Sequence, residues 1–218
     1  MATSGTKTFS IDTGELIEEA YELAGLELRT SYDAQTARRS LNIMFADWAN
    51  RGINLWTVSQ ITLDLVESTA AYTLNTYDID VLDAVIRRGT TDISIDRVSR
   101  SEYLGIPTKT TEGRPSQFYV ERLETPVLHL WPTPENSTDK FISYRIQRID
   151  DVTASAQDQE VPSRFIPPMV NGLAYQVAMK KNPQMAGVLK VEYEESFARA
   201  ADEDRDRASL HITPRIRL

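Results

Sequence analysis

The sequence predicts an α+β protein in which a four-helix bundle carries an inserted antiparallel β module and is followed by an extended C-terminal arm. Apolar residues recur every three or four positions in residues 12–52 and again in residues 163–204, as in amphipathic helices. From residue 54 to about residue 149 the spacing is two, as in strands. The predicted units are residues 1–53 with 160–204 for the bundle, 54–159 for the β module and 205–218 for the arm.

Two helices are predicted in the first unit, joined by a few residues. The apolar positions of the first are Leu16, Ile17, Ala20, Leu23 and Ala24. Those of the second are Ala34, Ala37, Leu41, Met44, Phe45 and Trp48. Thr13 is expected to cap the first helix and either Ser31 or Asp33 the second, while Gly25 and Gly52 end them. The short connection favours an antiparallel pair.

The central segment reads as strands without intervening helices, which favours an antiparallel sandwich or a small barrel. Its clearest part is GRPSQFYVERLETPVLHLWPTPENS, residues 113–137, where two strand-like runs over 117–123 and 127–131 predict a hairpin. Leu128 and Leu130 fall on one face of the second run. The other face takes Val127, His129 and Trp131, so both faces are expected to be covered at least in part.

Two further helices are predicted after a polar loop over residues 150–162. Ser163 is expected to cap the first of them, and Pro167 and Pro168 fit only its first turn. Its apolar stripe is Ile166, Met169, Val170, Leu173, Ala174, Val177 and Ala178. Asn182 and Pro183 separate it from the last helix. The stripe of that helix is Leu189, Tyr193, Phe197 and Ala200.

The last ten residues, SLHITPRIRL, contain Pro214 and alternate apolar with polar positions, which suits an extended arm better than a helix. The alternating pairs are Leu210 with Ile212 and Ile216 with Leu218. A lone extended segment cannot bury these side chains within itself. We therefore expect the arm to dock on a partner.

Composition excludes several classes of function. With 32 acidic and 24 basic residues the net charge is −8, which argues against a protein that wraps nucleic acid through phosphate contacts. The absence of cysteine excludes disulfides, thiol nucleophiles and thiolate metal sites. The first residues lack a signal-peptide pattern, and no window approaches the ~20 apolar residues of a membrane span. We expect a soluble protein made in the cytoplasm.

Enzyme chemistry finds little support. The two histidines, His129 and His211, have no spacing to carboxylates that would form a metal site, and phosphate-loop, dinucleotide and nucleophile-elbow motifs are absent. We expect no catalytic residue, no cofactor and no metal. The alternative is a cell-wall glycan hydrolase using paired carboxylates, for which Glu121 and Glu124 lie nearest a clear apolar surface.

Charged and aromatic positions instead suggest assembly surfaces. The acidic last helix reads either as a solvated face or as a wall facing a DNA passage or a basic neighbouring subunit. Its candidate residues are Glu192, Glu195, Arg199, Asp202 and Glu203. The pairs Arg38-Arg39 and Arg87-Arg88 are candidates for inter-subunit salt bridges. Trp131, at the end of a strand, is assigned to an edge or rim.

Several segments, in this order and spacing, resemble the head-to-tail adaptor proteins of short-tailed bacteriophages. They are FADWANRGINLW (45–56), VSRSEYLGIP (98–107), GRPSQFYVER with LHLWPTPE (113–135) and YQVAMKKNP (175–183). The resemblance covers nearly the whole chain. In that family the hairpin stretch is part of a β module that serves as a scaffold for assembly contacts.

The resemblance implies a dodecameric ring in the neck of the virion, with the portal protein on one side and the tail nozzle on the other. The helices would surround a channel through which genomic DNA passes without sequence-specific binding, and Arg38 and Arg39 would join the acidic helix at the channel or between subunits. Tyr119 and Trp131 would form the tail-facing rim. The portal-binding arm would contribute Leu210, Ile212, Pro214, Arg215, Ile216, Arg217 and Leu218. Another neck or tail ring protein and a DNA-binding terminator protein remain alternatives.

Overall fold

The computed structural model describes residue 5, residues 9–52 and residues 55–204. Over these residues the protein is α+β, which confirms the predicted class. The helices are α1 Thr13–Leu23, α2 Ser31–Asn50, α3 Arg100–Gly105, α4 Ile166–Lys181 and α5 Pro183–Glu203. The first strands are β1 Val58–Asp64, β2 Ala71–Thr73, β3 Asp78–Arg88, β4 Thr91–Ser94 and β5 Asp96–Arg97. The others are β6 Glu112–Gly113, β7 Gln117–Glu121, β8 Val127–Trp131, β9 Thr133–Pro134 and β10 Lys140–Gln147.

The chain divides into two compact units. The described residues up to 47 and from 151 to 204 form the first, hereafter the helical unit, which holds α1, α4, α5 and most of α2. Residues 48–150 form the second, hereafter the β unit, which holds the ten strands and α3. The polar loop predicted over residues 150–162 contacts α1. The carbonyl of Gln157 in this loop accepts a hydrogen bond from the amide of Thr13 at 3.0 Å.

The cap of α1 differs from the prediction. Asp12, not Thr13, is the N-cap: its Oδ1 accepts a hydrogen bond from the amide of Glu15 at 2.8 Å, and Glu15 Oε2 accepts from the amide of Asp12. The hydroxyl of Thr13 instead donates to the carbonyl of Gln157 at 2.7 Å. Gly25 ends the helix as predicted, since its φ of +67° is one that glycine adopts without strain.

The cap of α2 was also assigned to the wrong residue. Thr30 holds this position, because its hydroxyl accepts from the amide of Asp33 while the carboxylate of Asp33 accepts from the amide of Thr30, both at 3.2 Å. Ser31 is therefore the first helical residue and not the cap. Asp33, three residues after the cap, completes the capping box through its carboxylate. The same carboxylate also pairs with Lys181 at the end of α4.

Helix α4 begins without a side-chain cap. Ser163, the predicted cap, lies in a short 3₁₀ turn over Ser163–Phe165, and Phe165 occupies the cap position. Pro167 and Pro168 are in the first turn, as predicted. At Gly172 a β-carbon would lie 2.5 Å from Met44 Sδ and 2.7 Å from a ring carbon of Tyr193. Glycine thus lets α2 and α5 both pack closely on α4.

The β unit has two four-stranded open sheets, so the barrel alternative is wrong. In the first, with order β1-β10-β3-β4, all neighbours are antiparallel. In the second, with order β2-β8-β7-β5, the edge strand β5 runs parallel to β7. A short parallel pair joins β6 and β9. Both main sheets contribute to one core, where Phe118 and Phe141 meet edge to face at 5.7 Å.

The predicted hairpin is confirmed as β7 and β8, although its first strand ends at Glu121 rather than at residue 123. Leu128 and Leu130 are buried, while the opposite face is partly exposed, as the alternation indicated. Asp80 on β3 binds Arg97 on β5 and Arg122 just after β7. This carboxylate holds the hairpin sheet against the first sheet.

Candidate assembly surfaces

The portal-binding residues of the prediction lie outside the described residues. These are Leu210, Ile212, Pro214, Arg215, Ile216, Arg217 and Leu218. The last described residue, Asp204, has a buried carboxylate that accepts a hydrogen bond from Arg164. The end of α5 is therefore tied to the turn before α4.

Within residues 5, 9–52 and 55–204, no three histidine or acidic side chains are grouped so that they could hold a metal ion. No helix in the same ranges combines the length and the apolar character that crossing a bilayer requires.

His129 is held by contacts with neighbouring side chains of the hairpin. Glu121 Oε2 lies 3.3 Å from its Nε2, and the ring of Tyr119 stacks on its imidazole. Glu124 is exposed in the turn.

The outer face of the hairpin sheet carries an aromatic patch, defined here as Tyr103, Tyr119, His129 and Trp131. Tyr119 and His129 face each other across β7 and β8, with ring centroids 5.8 Å apart. Tyr103 on α3 stacks on Tyr119 at 5.5 Å, and burial raises the pKa of its hydroxyl. Trp131 Nε1 donates to the carbonyl of Thr108 at 3.0 Å. The members of this patch are partly exposed and contact neighbouring rings or backbone, which suits protein recognition.

Tyr103 was not assigned to this patch from the sequence. Tyr103 lies in the short helix α3, which has Ser99 as its cap. The carboxylate of Glu102 accepts from the amide of Ser99, and this bond lowers the pKa of Glu102. What the turn contributes could not be inferred, because its packing on β7 joins residues far apart in the chain.

The predicted basic pairs have different environments. Arg87 forms two hydrogen bonds with Asp92, at 2.6 and 2.7 Å, which raise the pKa of Arg87 and lower that of Asp92. Arg88 binds Asp139 and Glu135. Both guanidinium groups are thus engaged within the chain. Arg38 donates to the carbonyl of Thr153 at 2.6 Å, whereas Arg39 is exposed on α2.

The acidic residues of α5 lie on its exposed side. Glu192, Glu195, Arg199, Asp202 and Glu203 are all exposed. An ion pair joins Arg199 to Glu192 at 3.9 Å between exposed side chains, so it adds little stability. The buried side of the same helix holds the predicted stripe, Leu189, Tyr193, Phe197 and Ala200.

Two helices of the helical unit also expose large apolar side chains. On α5, Val188 is 67% and Val191 58% exposed, and on α2, Tyr32 is 71% and Ile43 57% exposed. Single exposed apolar residues are common on monomers, but these recur along one side of each helix. These exposed side chains were not among the predicted surface residues. The signal was present, since Val188 and Val191 flank the core position Leu189 without belonging to its stripe.

The family model described as SU10 adaptor protein matches residues 13–217. The comparison with curated proteins gives no match.

Proposed function

The chain belongs to the SU10 adaptor protein family, and from this premise we propose that it is a structural adaptor that joins the head of a phage to its tail. The observation that carries the proposal is the family match over nearly the whole chain, which covers both compact units. Family membership indicates a structural role and not an enzymatic one. An adaptor in this position belongs to the neck of the virion.

We propose that copies of the chain form a ring, a dodecamer by the resemblance, that continues the DNA channel. In such a ring α1, α2, α4 and α5 would form a four-helix bundle in the annulus, with the β unit inserted between α2 and α4. Rings need contacts between two different surfaces of each subunit, because a surface that pairs with itself closes at a dimer. The exposed apolar side chains on α2 and α5 support such contacts.

The portal is the proposed partner of residues 205–218. The apolar side chains at 210, 212, 216 and 218 would be buried against it, while Arg215 and Arg217 would meet acidic groups there. Asp204, bound to Arg164, gives this segment a fixed starting point on the helical unit. The segment therefore begins at the same place in every copy of the ring.

The tail nozzle is the proposed partner of the aromatic patch. Tyr and Trp supply large contact areas with few rotatable bonds, so they are common at the centres of protein interfaces. Tyr119 and Trp131 are partly exposed and held in place, the first by ring stacking and the second by its bond to Thr108.

DNA would pass through the ring without being held. The net charge of −8 and the exposed carboxylates on α5 oppose phosphate binding, so a duplex can slide. Rings in which Glu192, Asp202 and Glu203 are changed to lysine should then bind duplex DNA in a salt-dependent manner. Equal DNA binding by the charge-reversed and parent rings would refute this part of the proposal.

Electron microscopy of the purified protein, with and without portal rings of the same phage, tests the proposed function. We expect a ring of uniform symmetry stacked coaxially on one end of the portal. Portal rings incubated with an unrelated acidic protein of similar size are the control. A chain that stays monomeric and leaves the portal unoccupied would refute the proposal. Rings that bind only tail components would indicate another neck or tail ring protein.

A further inference from the structure

We infer that the ring closes through two different stripes of the helical unit, the outer side of α2 on one copy meeting the outer side of α5 on the next. This inference rests on the proposed function, since it names the contact between neighbouring subunits. The α2 stripe is defined as Tyr32, Arg39 and Ile43. The α5 stripe is defined as Val188, Val191 and Glu195.

The α2 stripe follows from helical spacing. Positions seven and eleven residues apart return to nearly the same side of a helix, so Tyr32, Arg39 and Ile43 are aligned. Met44 lies on the other side of α2, buried beside Gly172 of α4. The stripe is thus a guanidinium group between two exposed apolar side chains, turned away from the core of the helical unit.

The positive character of this stripe extends to the neighbouring end of α4. Lys180 lies close enough to Arg39 for their charges to interact. Burial is the main cause that lowers the pKa of Lys180, and repulsion from Arg39 is the smaller one. Arg39 therefore has a second basic side chain near it, and Lys180 Nζ donates to the hydroxyl of the adjacent Ser40. A carboxylate brought to this surface by another molecule would be attracted.

The α5 stripe has the complementary composition. Val188, Val191 and Glu195 are three and four residues apart, which aligns them over two turns opposite the buried Tyr193. The stripe is thus apolar at one end and acidic at the other. Next to it, Gly187 has open space where a side chain would lie, so no contact within the described chain requires glycine there.

Complementarity of charge selects the pairing of unlike stripes. Two α2 stripes would bring Arg39 against Arg39, and two α5 stripes would bring Glu195 against Glu195, and both like-charge contacts are unfavourable. The unlike pairing joins Arg39 to Glu195 and, with the two helices antiparallel, lets Ile43, one turn from Arg39, meet Val191, one turn from Glu195. Because both stripes belong to helices packed on α4 at Gly172, their separation is fixed within each subunit. A fixed separation of two unlike surfaces is what a closed ring requires.

A charge exchange tests the pairing. The protein concentration that half-completes rings on portal is measured by mass photometry and electron microscopy for Arg39→Glu, Glu195→Arg and the double variant. Each single change should raise this concentration at least about tenfold, because it places like charges together. The double variant should restore it to within about threefold. Circular dichroism confirms that each variant is folded, since both side chains are exposed.

Ile43→Asp and Leu123→Asp form a matched pair for the apolar part, since both parent side chains are 57% exposed and Leu123 lies in the β unit. We expect Ile43→Asp to weaken ring formation and Leu123→Asp to leave it unchanged. Single charge variants that assemble like the parent protein, or a double variant that is not restored, would overturn the inference and leave the proposed function standing. A parent protein that forms no ring with portal would overturn both.

Discussion

Asp78 and Arg145 form an ion pair in the interior of the β unit, with Asp78 Oδ2 3.0 Å from Arg145 Nη1. Their side chains are 1% and 3% exposed. Gln147 donates to the other carboxylate oxygen at 2.8 Å, and Ser143 accepts from Arg145 Nε at 3.0 Å. The pair joins β3 to β10 and is supported by hydrogen bonds on both sides, which is how a buried charge is compensated.

Removing one partner of this pair should strongly lower the free energy of unfolding of the β unit. Asp78→Ala leaves the guanidinium of Arg145 buried without its counter-charge, so we expect a loss of ~3–5 kcal/mol in the free energy of unfolding. Asp64→Asn, which breaks the exposed pair with Lys140, is the control and should cost less than ~1 kcal/mol. Urea denaturation measures both. Equal effects from the two variants would contradict this account of the buried pair.

Glycine positions on α4 and α5 should respond in opposite directions. Gly172→Ala puts a methyl group against Met44 and Tyr193, and the overpacking should lower the free energy of unfolding by ~1–3 kcal/mol. Gly187→Ala meets nothing in the described chain and should raise it by ~0.5–1 kcal/mol through helix propensity. Thermal unfolding of the dilute protein compares them. A stabilising Gly172→Ala would mean that α2 and α5 are not packed closely on α4.

Asp33 should titrate abnormally because of its partner on α4. Its hydrogen bond with Lys181 lowers the pKa of Asp33 below the ordinary 3.8 and, in return, raises that of Lys181 above 10.5. A lowered acid pKa stabilises the fold above its unfolded value, and this contribution is lost as pH falls through the folded value. A raised lysine pKa stabilises below its unfolded value and is lost as pH rises through the folded one. The pair therefore favours the fold across the neutral range.

NMR titration of the Asp33 carboxyl group checks this directly. In Lys181→Met the pKa of Asp33 should move up toward its ordinary value. Lys190→Met, which removes an exposed lysine from α5, should leave it unchanged. If both variants titrate like the parent protein, the lowered pKa does not come from Lys181.

Truncation after Asp206 should separate portal binding from folding. The shortened chain keeps α5 and the Arg164–Asp204 pair, so its thermal unfolding should match that of the full chain. Its affinity for portal rings, measured by surface plasmon resonance, should fall at least about tenfold because the apolar side chains of the arm are gone. Leu210→Asp with Ile212→Asp should reproduce much of the loss in the full chain. Unchanged affinity would show that the portal binds elsewhere.

The aromatic patch should affect the other end of the assembly. Tyr119→Ala removes a ring that stacks on both Tyr103 and His129, and we expect weaker binding of the tail nozzle protein with portal binding unchanged. Tyr144→Ala removes another partly exposed tyrosine, on β10, and is the matched control. Cosedimentation with each partner measures both effects. A loss of portal binding in Tyr119→Ala alone would reverse the proposed orientation of the ring.

The helices, the hairpin and the α+β class could be inferred from the chain because each depends on a pattern repeated over neighbouring residues. The apolar stripe of α5 and the alternation of β8 are such patterns, and both were confirmed. The caps were less predictable. Thr30 and Asp12 were missed in favour of residues one to three positions away, because several adjacent polar side chains can cap and the backbone path selects among them.

Contacts between distant segments were beyond the reach of sequence patterns. Arg88 was read as a candidate for another subunit, yet it binds Asp139, 51 residues further along the chain. The parallel pairing of β5 with β7 and the stacking of Tyr103 on Tyr119 were likewise not inferred. The periodicity of apolar residues indicates which side of a helix or strand is apolar. It does not indicate which partner a charged or aromatic side chain contacts, because that depends on how the helices and strands pack together around the core.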